Sequence, residues 1–234
     1  MMSQIILEAI DLSVKYKHRL LFHIPSLKVC PGDAIYLSGQ NGIGKTSLLK
    51  VMAGIQKPTK GSLNLQRPSW LQRLAGFTGQ SGVIYMHQTP YLFDGTVSEN
   101  VAYGLKGKHF CQRTQRQLTM QALRKIGLET LSHEHISVLS GGEKQKVAMA
   151  RAWALNPSIL LMDESCANLD ADAIDAQKQM IDDLLDRGAS LVITSHHPNK
   201  LTECCNQQWL IENQRLIHKP KLNIIDKDNH AFAS

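Results

Sequence analysis

No stretch of this sequence approaches the roughly 18 consecutive apolar residues that a membrane-spanning helix needs. The opening residues, Met1-Met2-Ser3-Gln4-Ile5, lack the charged and apolar regions of a signal peptide. Cysteine is scarce. Cys30, Cys111, Cys166, Cys204 and Cys205 are odd in number and irregularly spaced, which points to free thiols rather than a disulfide framework. His133-Glu134-His135, His196-His197 and Cys204-Cys205 are metal-binding residue types, but none has the spacing of a structural zinc site. Heptad runs are absent, and so is a second copy of any motif below. Together these absences predict a chain that stays in the cytoplasm. Its 234 residues suit one domain with a sizeable core, or one domain carrying a smaller lobe. A net charge of +6 permits an acidic partner without specifying one.

What is present centres on Gly39-Gln40-Asn41-Gly42-Ile43-Gly44-Lys45-Thr46-Ser47, which fits the phosphate-cradling pattern G-x-x-x-x-G-K-[ST]. The run 34–38 before it reads as a short buried strand, and 47–53 after it as a helix that Gly54 ends. The glycines let the backbone turn tightly and bring its N–H groups up to phosphate oxygens. The following helix adds the positive end of its dipole. Lys45 can reach the β- and γ-phosphates, and the Thr46 hydroxyl can ligand Mg²⁺. With strand, loop and helix in order, this predicts a nucleoside triphosphate site.

Upstream, residues 5–38 alternate short apolar runs with polar turns, as a small antiparallel sheet would. Tyr16 sits in a polar break, where its ring could stack on a base or simply pack. Downstream, 62–65 and 83–87 read as strands, and Gln88 stands at the end of the second. Ligands in open α/β sheets gather at the carboxyl ends of strands, so Gln88 is a candidate site residue. Between Glu99 and Glu129 no acidic residue occurs, while Leu118, Ala122, Leu123 and Ile126 give one apolar helical face. This predicts a helical lobe with a solvated basic side. Beyond Phe110 no aromatic ring interleaves with the basic residues there, so a nucleic-acid surface is not expected.

Leu139-Ser140-Gly141-Gly142-Glu143 opens a helical stretch through Leu155. Ser140 can cap it, and the two glycines bare the first N–H groups. This is a second anion-ready helix start, with no P-loop lysine of its own. A symmetric dimer would resolve that, each chain lending its serine–glycine end to the other's nucleotide. The strand 158–162 runs into Asp163-Glu164, whose adjacent carboxylates suit Mg²⁺ handling and water activation respectively. One more strand, 190–194, ends at Ser195-His196-His197, where a histidine can touch the γ-phosphate or orient the attacking water.

In this order the motifs resemble the nucleotide-binding (ATPase) subunit of an ABC transporter, over roughly residues 5–217. The most specific element is Leu139-Ser140-Gly141-Gly142-Glu143-Lys144-Gln145-Lys146, which is similar to the family's signature sequence. The resemblance implies an α/β fold: a P-loop NTPase (RecA-like) core, an N-terminal antiparallel β subdomain and an inserted α-helical subdomain at about 89–156. It implies one domain over 1–217, followed by a tail at 218–234. Tyr16 matches the adenine-stacking aromatic, Gly39 to Ser47 the Walker A loop, Gln88 the Q-loop glutamine, Asp163 and Glu164 the Walker B pair. Ala167-Asn168-Leu169-Asp170 matches the D-loop and His196 the switch histidine. Thr46, Gln88 and Asp163 would then attend Mg²⁺, with ATP as the nucleotide. Glu164, His196 and Gln88 would act on the attacking water, and Ser140 to Glu143 would meet the ATP of the opposite subunit. The implied partners are a second copy of the chain, a transmembrane permease and a solute-binding protein, on the inner face of the cell membrane.

Some positions depart from the family pattern. Lys146 stands where arginine is commoner, Ser165-Cys166-Ala167-Asn168 replaces Pro-Thr-Ser-Ala, and His197 follows the switch histidine where aspartate is frequent. Residues 92–105 resemble importers of oxyanions, the tungstate type especially. An efflux or lipid-handling system is the alternative. A soluble ATPase acting on DNA or ribosomes would carry two cassettes or a coiled-coil insertion, and neither is present.

Overall fold

The computed structural model describes residues 6–65, 82–106, 110–164, 171–195 and 197–220. In chain order its elements are β1 (Leu7–Tyr16), β2 (Arg19–Val29), β3 (Ala34–Ser38), α1 (Lys45–Met52), β4 (Lys60–Leu65) and β5 (Val83–Met86). Then follow α2 (Val97–Ala102), α3 (Gln112–Lys125), α4 (Gly141–Leu155), β6 (Ile159–Asp163), α5 (Ala171–Asp186), β7 (Ser190–Thr194), β8 (Gln207–Glu212) and β9 (Arg215–Pro220). β9 crosses the expected boundary at residue 217.

The strands form two sheets. β1 pairs antiparallel with β2 from Leu7↔Val29 to Tyr16↔Arg19, and with β4 on its other side. The separate runs 20–22 and 27–29 merge here into one strand that passes through Pro25. A proline cannot donate to a ladder, and β2 tolerates it because it is the edge of its sheet. The second sheet has the order β5-β6-β7-β3-β8-β9, parallel except for the antiparallel β9. Its inner strands β6 and β7 are buried at every residue, as strands covered on both faces must be.

Successive residues on a strand face opposite sides, so the parallel sheet divides two cores. On one side Ile35, Leu37, Leu161 and Val192 pack with Leu48, Leu49 and Met52 of α1 and with Phe22 and Val29 of the antiparallel sheet. On the other, Tyr36, Leu160, Met162 and Ile193 pack with Val101, Leu123, Val147 and Trp153 of the helical lobe and with Met180 and Leu184 of α5. The predicted apolar face of α3 points inward: Ala122, Leu123 and Ile126 are buried, and Leu118 packs against the same core. Lys125 and Arg187 place their cations over the Trp153 ring, whose indole N–H donates to Asp183, so the lobe and α5 are braced together.

Several predicted boundaries move by one or two residues. The helix after the glycine-rich loop spans Lys45–Met52 rather than 47–53, and the strand expected over 62–65 begins at Lys60. The strand expected over 83–87 ends at Met86, and that over 158–162 is Ile159–Asp163. Helix α5 and the hairpin β8–β9 were not read from the sequence. Among the described residues no helix is long and apolar enough to cross a membrane.

Candidate functional site

The buried strand β3 delivers the chain into the loop 39–44, and α1 leaves it at Lys45. Two glycines are required by packing as well as by conformation. Gly39 (φ 146°) and Gly44 (φ 117°) lie in the left-handed half of backbone space; a Cβ would stand 2.8 Å from the Ile211 carbonyl oxygen at the first and 3.0 Å from the Phe22 ring at the second. No side-chain bond caps α1, whose N-cap is Gly44, so the opening N–H groups of the helix are not taken up by a cap. Lys45 is buried, and its Nζ donates to the carbonyl oxygens of Gly39 (2.8 Å) and Gln40 (3.3 Å). The ammonium is thereby folded back across the loop, where an anion on the loop's N–H groups would meet it. Ile43 packs against the core below.

At the end of β6, Asp163 is buried and surrounded by hydroxyl groups. Thr46 Oγ1 donates to its Oδ1 at 3.1 Å, Thr194 Oγ1 lies 3.1 Å from the same oxygen, and Tyr85 OH donates to Oδ2 at 2.7 Å. Burial, followed by the bond to the carboxylate, pushes the Tyr85 phenol far above its ordinary pKa, so it remains a donor. Glu164 follows with φ 49°, a conformation uncommon outside glycine, and its N–H donates to Thr194 Oγ1 at 3.0 Å. That turn brings Glu164 to the same cleft as the loop. Carboxylate and hydroxyl oxygens are hard donors, and one carboxylate plus one hydroxyl beside a phosphate site fits Mg²⁺, which is held by few protein groups together with substrate phosphates.

The cleft has a volume of about 390 Å³, and its lining includes Tyr16, Asn41, Lys45, Thr46, Ser47 and Glu164. Gly42 and Gly44 complete the loop wall. Tyr16 ends β1 and is 68% exposed, so its ring is an open surface at the rim rather than a core side chain. Lys17 reaches over it, with Nζ 6.0 Å from the ring centre.

Other predicted site residues do not join this cleft. Gln88 is exposed just past β5 and does not line it; its carbonyl accepts from Gln145 Nε2 at 2.6 Å, tying the strand end to α4. Ser140 caps α4 as the sequence predicts. Its Oγ accepts from the Glu143 N–H (3.2 Å), and Glu143 Oε2 accepts from the Ser140 N–H (2.7 Å). The bonds to Ser140 hold the Glu143 carboxyl below its ordinary pKa. A Cβ added at Gly141 or Gly142 would meet nothing within 4 Å, so this helix start faces open space, outside the lining of the cleft. His196, Asp170, the remaining D-loop positions 167–169 and Cys166 lie outside the described residues.

The segment after Gln88 is held more firmly than its apolar composition suggests. Arg151 of α4 donates to the carbonyl oxygens of Tyr91 (3.0 Å) and Asn100 (2.9 Å), and Asn100 bonds both the N–H and the carbonyl of Phe93 at 2.8 Å. Phe93 stacks on Tyr103 with ring centres 3.9 Å apart, and the Arg151 guanidinium lies over its ring. Leu92 packs against the core, while Tyr91 and Tyr103 remain exposed. An aromatic patch therefore stands on a rigid base.

Sequence reasoning missed Tyr85, Thr194, Asn100 and Arg151. Tyr85 and Thr194 reach Asp163 only because β5 and β7 flank β6, a pairing that no local pattern encodes.

A family model described as ABC transporter matches residues 22–167. The chain is 30% identical over 222 residues to the sulfate/thiosulfate import ATP-binding protein CysA of Mesorhizobium japonicum, covering 90% of this chain and 62% of that protein. It is 35% identical over 166 residues to the Fe(3+) ions import ATP-binding protein FbpC of Vibrio cholerae, covering 69% and 45%. With the lipopolysaccharide export system ATP-binding protein LptB of Acidithiobacillus ferridurans it shares 27% over 213 residues, covering 91% and 88%. The chain thus spans less than two thirds of the length of the two import proteins. A solved ATP binding subunit of an ABC transporter superposes with a TM-score of 0.77 at 23% identity, covering 92% of this chain and 90% of that one.

Proposed function

Because the chain belongs to the ABC transporter family, we propose that it binds and hydrolyses ATP to drive a membrane transporter. The observation that carries this reading is the cleft in which the glycine-rich loop, Lys45, Thr46, Glu164 and the open Tyr16 ring converge, with Asp163 bonded to Thr46 at its floor. The loop N–H groups and Lys45 hold the phosphates, and Tyr16 stacks on the base. Thr46 and Asp163 hold Mg²⁺, which when bound neutralises phosphate charge. Glu164 orients and polarises the attacking water, and Gln88, Asp170 and His196 complete the site on closure.

Closure is by a head-to-tail dimer. Ser140 to Glu143 form a helix start that is anion-ready and open, while the helix start at Lys45 has no side-chain cap. Each would complete the other across a two-fold axis. The rigid patch of Tyr91, Phe93 and Tyr103 is the face that docks on a permease, because aromatic residues anchor such contacts. Tyr91→Ala with Phe93→Ala should leave ATP binding and basal hydrolysis nearly unchanged while assembly with the permease falls. Normal assembly would place the docking face elsewhere.

The cargo we propose is a small oxyanion, taken up; the named cargo of the CysA relative supports the class. A second reading, export, is favoured by the LptB relative, most of whose length the chain covers. The decisive test of the ATPase reading is Mg²⁺-dependent phosphate release by the purified chain, with Lys45→Ala alongside. Turnover in the wild type and none in the variant is expected. Nucleotide binding that survives Lys45→Ala unchanged would remove the basis of the reading.

A further inference from the structure

The strand order β5-β6-β7 puts a hydroxyl-bearing residue on each side of Asp163. Thr194 is its direct neighbour in register on β7. Tyr85 is not: on β5 it pairs with Leu161, two residues earlier on β6. Residues two apart share a face of the sheet and are separated by about 6.6 Å along it. A phenol spans that distance and a serine or threonine hydroxyl does not. The side chain at 85 thus reaches along the sheet to the carboxylate beyond its own partner, and its OH closes on Oδ2 at 2.7 Å.

We infer that Tyr85 is a positioning residue for the metal-binding carboxylate, fixing the rotamer of Asp163 so that Oδ1 stays beside Thr46. This rests on the proposed metal–nucleotide reading of the cleft. Asp163 is 5% exposed, so water gives its oxygens little support and the protein must supply their partners. Oδ1 has two hydroxyl neighbours, Thr46 and Thr194. If Mg²⁺ recruits Thr46, the carboxylate must hold still while one of those bonds changes. Oδ2 accepts from Tyr85, which lies off the Thr46 side and is unaffected by that exchange. Tyr85 also packs edge-on against His87, with ring centres 4.5 Å apart, so its own orientation is set from the strand end.

The test is Tyr85→Phe, which removes one oxygen and keeps the ring. Mn²⁺ replaces Mg²⁺, a non-hydrolysable ATP analogue occupies the site, and free Mn²⁺ is read by electron paramagnetic resonance. Outer-shell partners of metal ligands are typically worth about 10–100-fold in metal affinity, and a loss in that range is expected. Binding of a fluorescent ATP analogue without metal should stay within about twofold, since Tyr85 is not among the residues that line the cleft. Unchanged Mn²⁺ affinity in the folded variant overturns the inference. So does an equal loss of metal-free nucleotide binding, which would mean a general loosening of the site. If the wild type binds no Mn²⁺–nucleotide, the reading of the cleft falls first and this inference with it. Should Tyr85→Phe not fold, Tyr85→Met and Tyr85→Gln take its place. Affinity lost with methionine and recovered with the glutamine donor supports positioning, and equal affinity in the two overturns it.

Discussion

Two helix starts in this molecule look alike in sequence and differ in how they are finished. α1 opens from Gly42-Ile43-Gly44, α4 from Ser140-Gly141-Gly142, and both offer backbone N–H groups at the positive end of a helix dipole. At α1 no side chain caps the helix and no acidic residue sits in the first turn. The N–H groups, the Lys45 ammonium and the Tyr16 ring all border one cleft. At α4 the reciprocal Ser140–Glu143 bonds satisfy the N–H groups of those two residues, and its glycines face open space. On the proposed reading the first start is satisfied by a ligand and is a site, while the second carries its own cap and is the lid for another copy's site.

The largest effect separates chemistry from cradle. Positioned acid–base catalysis is typically worth about 10²–10⁴-fold. Glu164→Gln should lose turnover in that range and keep ATP binding, because Glu164 borders the cleft without belonging to the loop. ATP would then accumulate with two chains closed around it, visible as a dimer on gel filtration with ATP and Mg²⁺. Wild-type rates in this variant would remove Glu164 from the chemistry.

Next comes a change that keeps the α4 cap and spoils the lid. Aspartate caps helices about as well as serine, so Ser140→Asp should melt near the wild-type temperature. Its added charge would face the γ-phosphate of the opposite ATP, and like charges brought together at an interface cost several kcal/mol. ATP-dependent dimerisation and hydrolysis should both be abolished, while monomeric ATP binding persists. Ser140→Ala is the mirror experiment: it costs about 1 kcal/mol of stability through the lost cap and adds no repulsion. If Ser140→Asp dimerises normally, α4 does not cover a nucleotide.

The difference between the two starts also governs what the sequence revealed. The glycine pattern, the flanking strand and Ser140 with Glu143 three residues on are local signals, and each was legible. So was the run 158–164, because a fully buried strand ending in two carboxylates is distinctive. The partners of Asp163 were not, since Tyr85 and Thr194 meet it through the strand order alone. β8 escaped because Gln207-Gln208-Trp209-Leu210-Ile211-Glu212 begins and ends polar, although Trp209 and Ile211 are buried beside the P-loop strand. In α5 the buried stripe of Ala173, Met180, Ile181 and Leu184 is interrupted by Gln177, itself fully buried, which blurs the 3.6-residue period.

A smaller effect tests the open wall of the first site. Base–aromatic stacking is worth about 1–3 kcal/mol, or about 5–150-fold in affinity. Tyr16→Ala should weaken ATP binding within that range and Tyr16→Trp should be tolerated, with little change in stability because the ring is 68% exposed. An unchanged dissociation constant for the alanine variant, measured by titration with a fluorescent analogue, would leave the cleft without its base-binding wall.

The smallest effect distinguishes the two starts by acid. The Glu143 carboxyl is held below its ordinary value of 4.5 by the bonds to Ser140. A carboxyl whose pKa is depressed on folding stabilises the fold at pH values above its unfolded pKa, and that contribution is lost as pH falls through the folded value. α4 should therefore lose its cap in a window beginning near pH 4.5 and extending downward. α1 has no acidic residue in its first turn and should lose nothing by this route. An acid near a helix N-terminus at the surface contributes about 0.3–1 kcal/mol, too little to read from global unfolding, in which the Glu99 box of α2 also takes part. Amide exchange resolves it locally: protection in the first turn of α4 should fall relative to α1 as the solution is acidified. In Glu143→Gln, whose amide oxygen can still accept from the Ser140 N–H, that relative loss should disappear. If the first turn of α4 in the wild type keeps its protection through the window, the carboxylate is not what finishes that helix, and the contrast between the two starts rests on the serine alone.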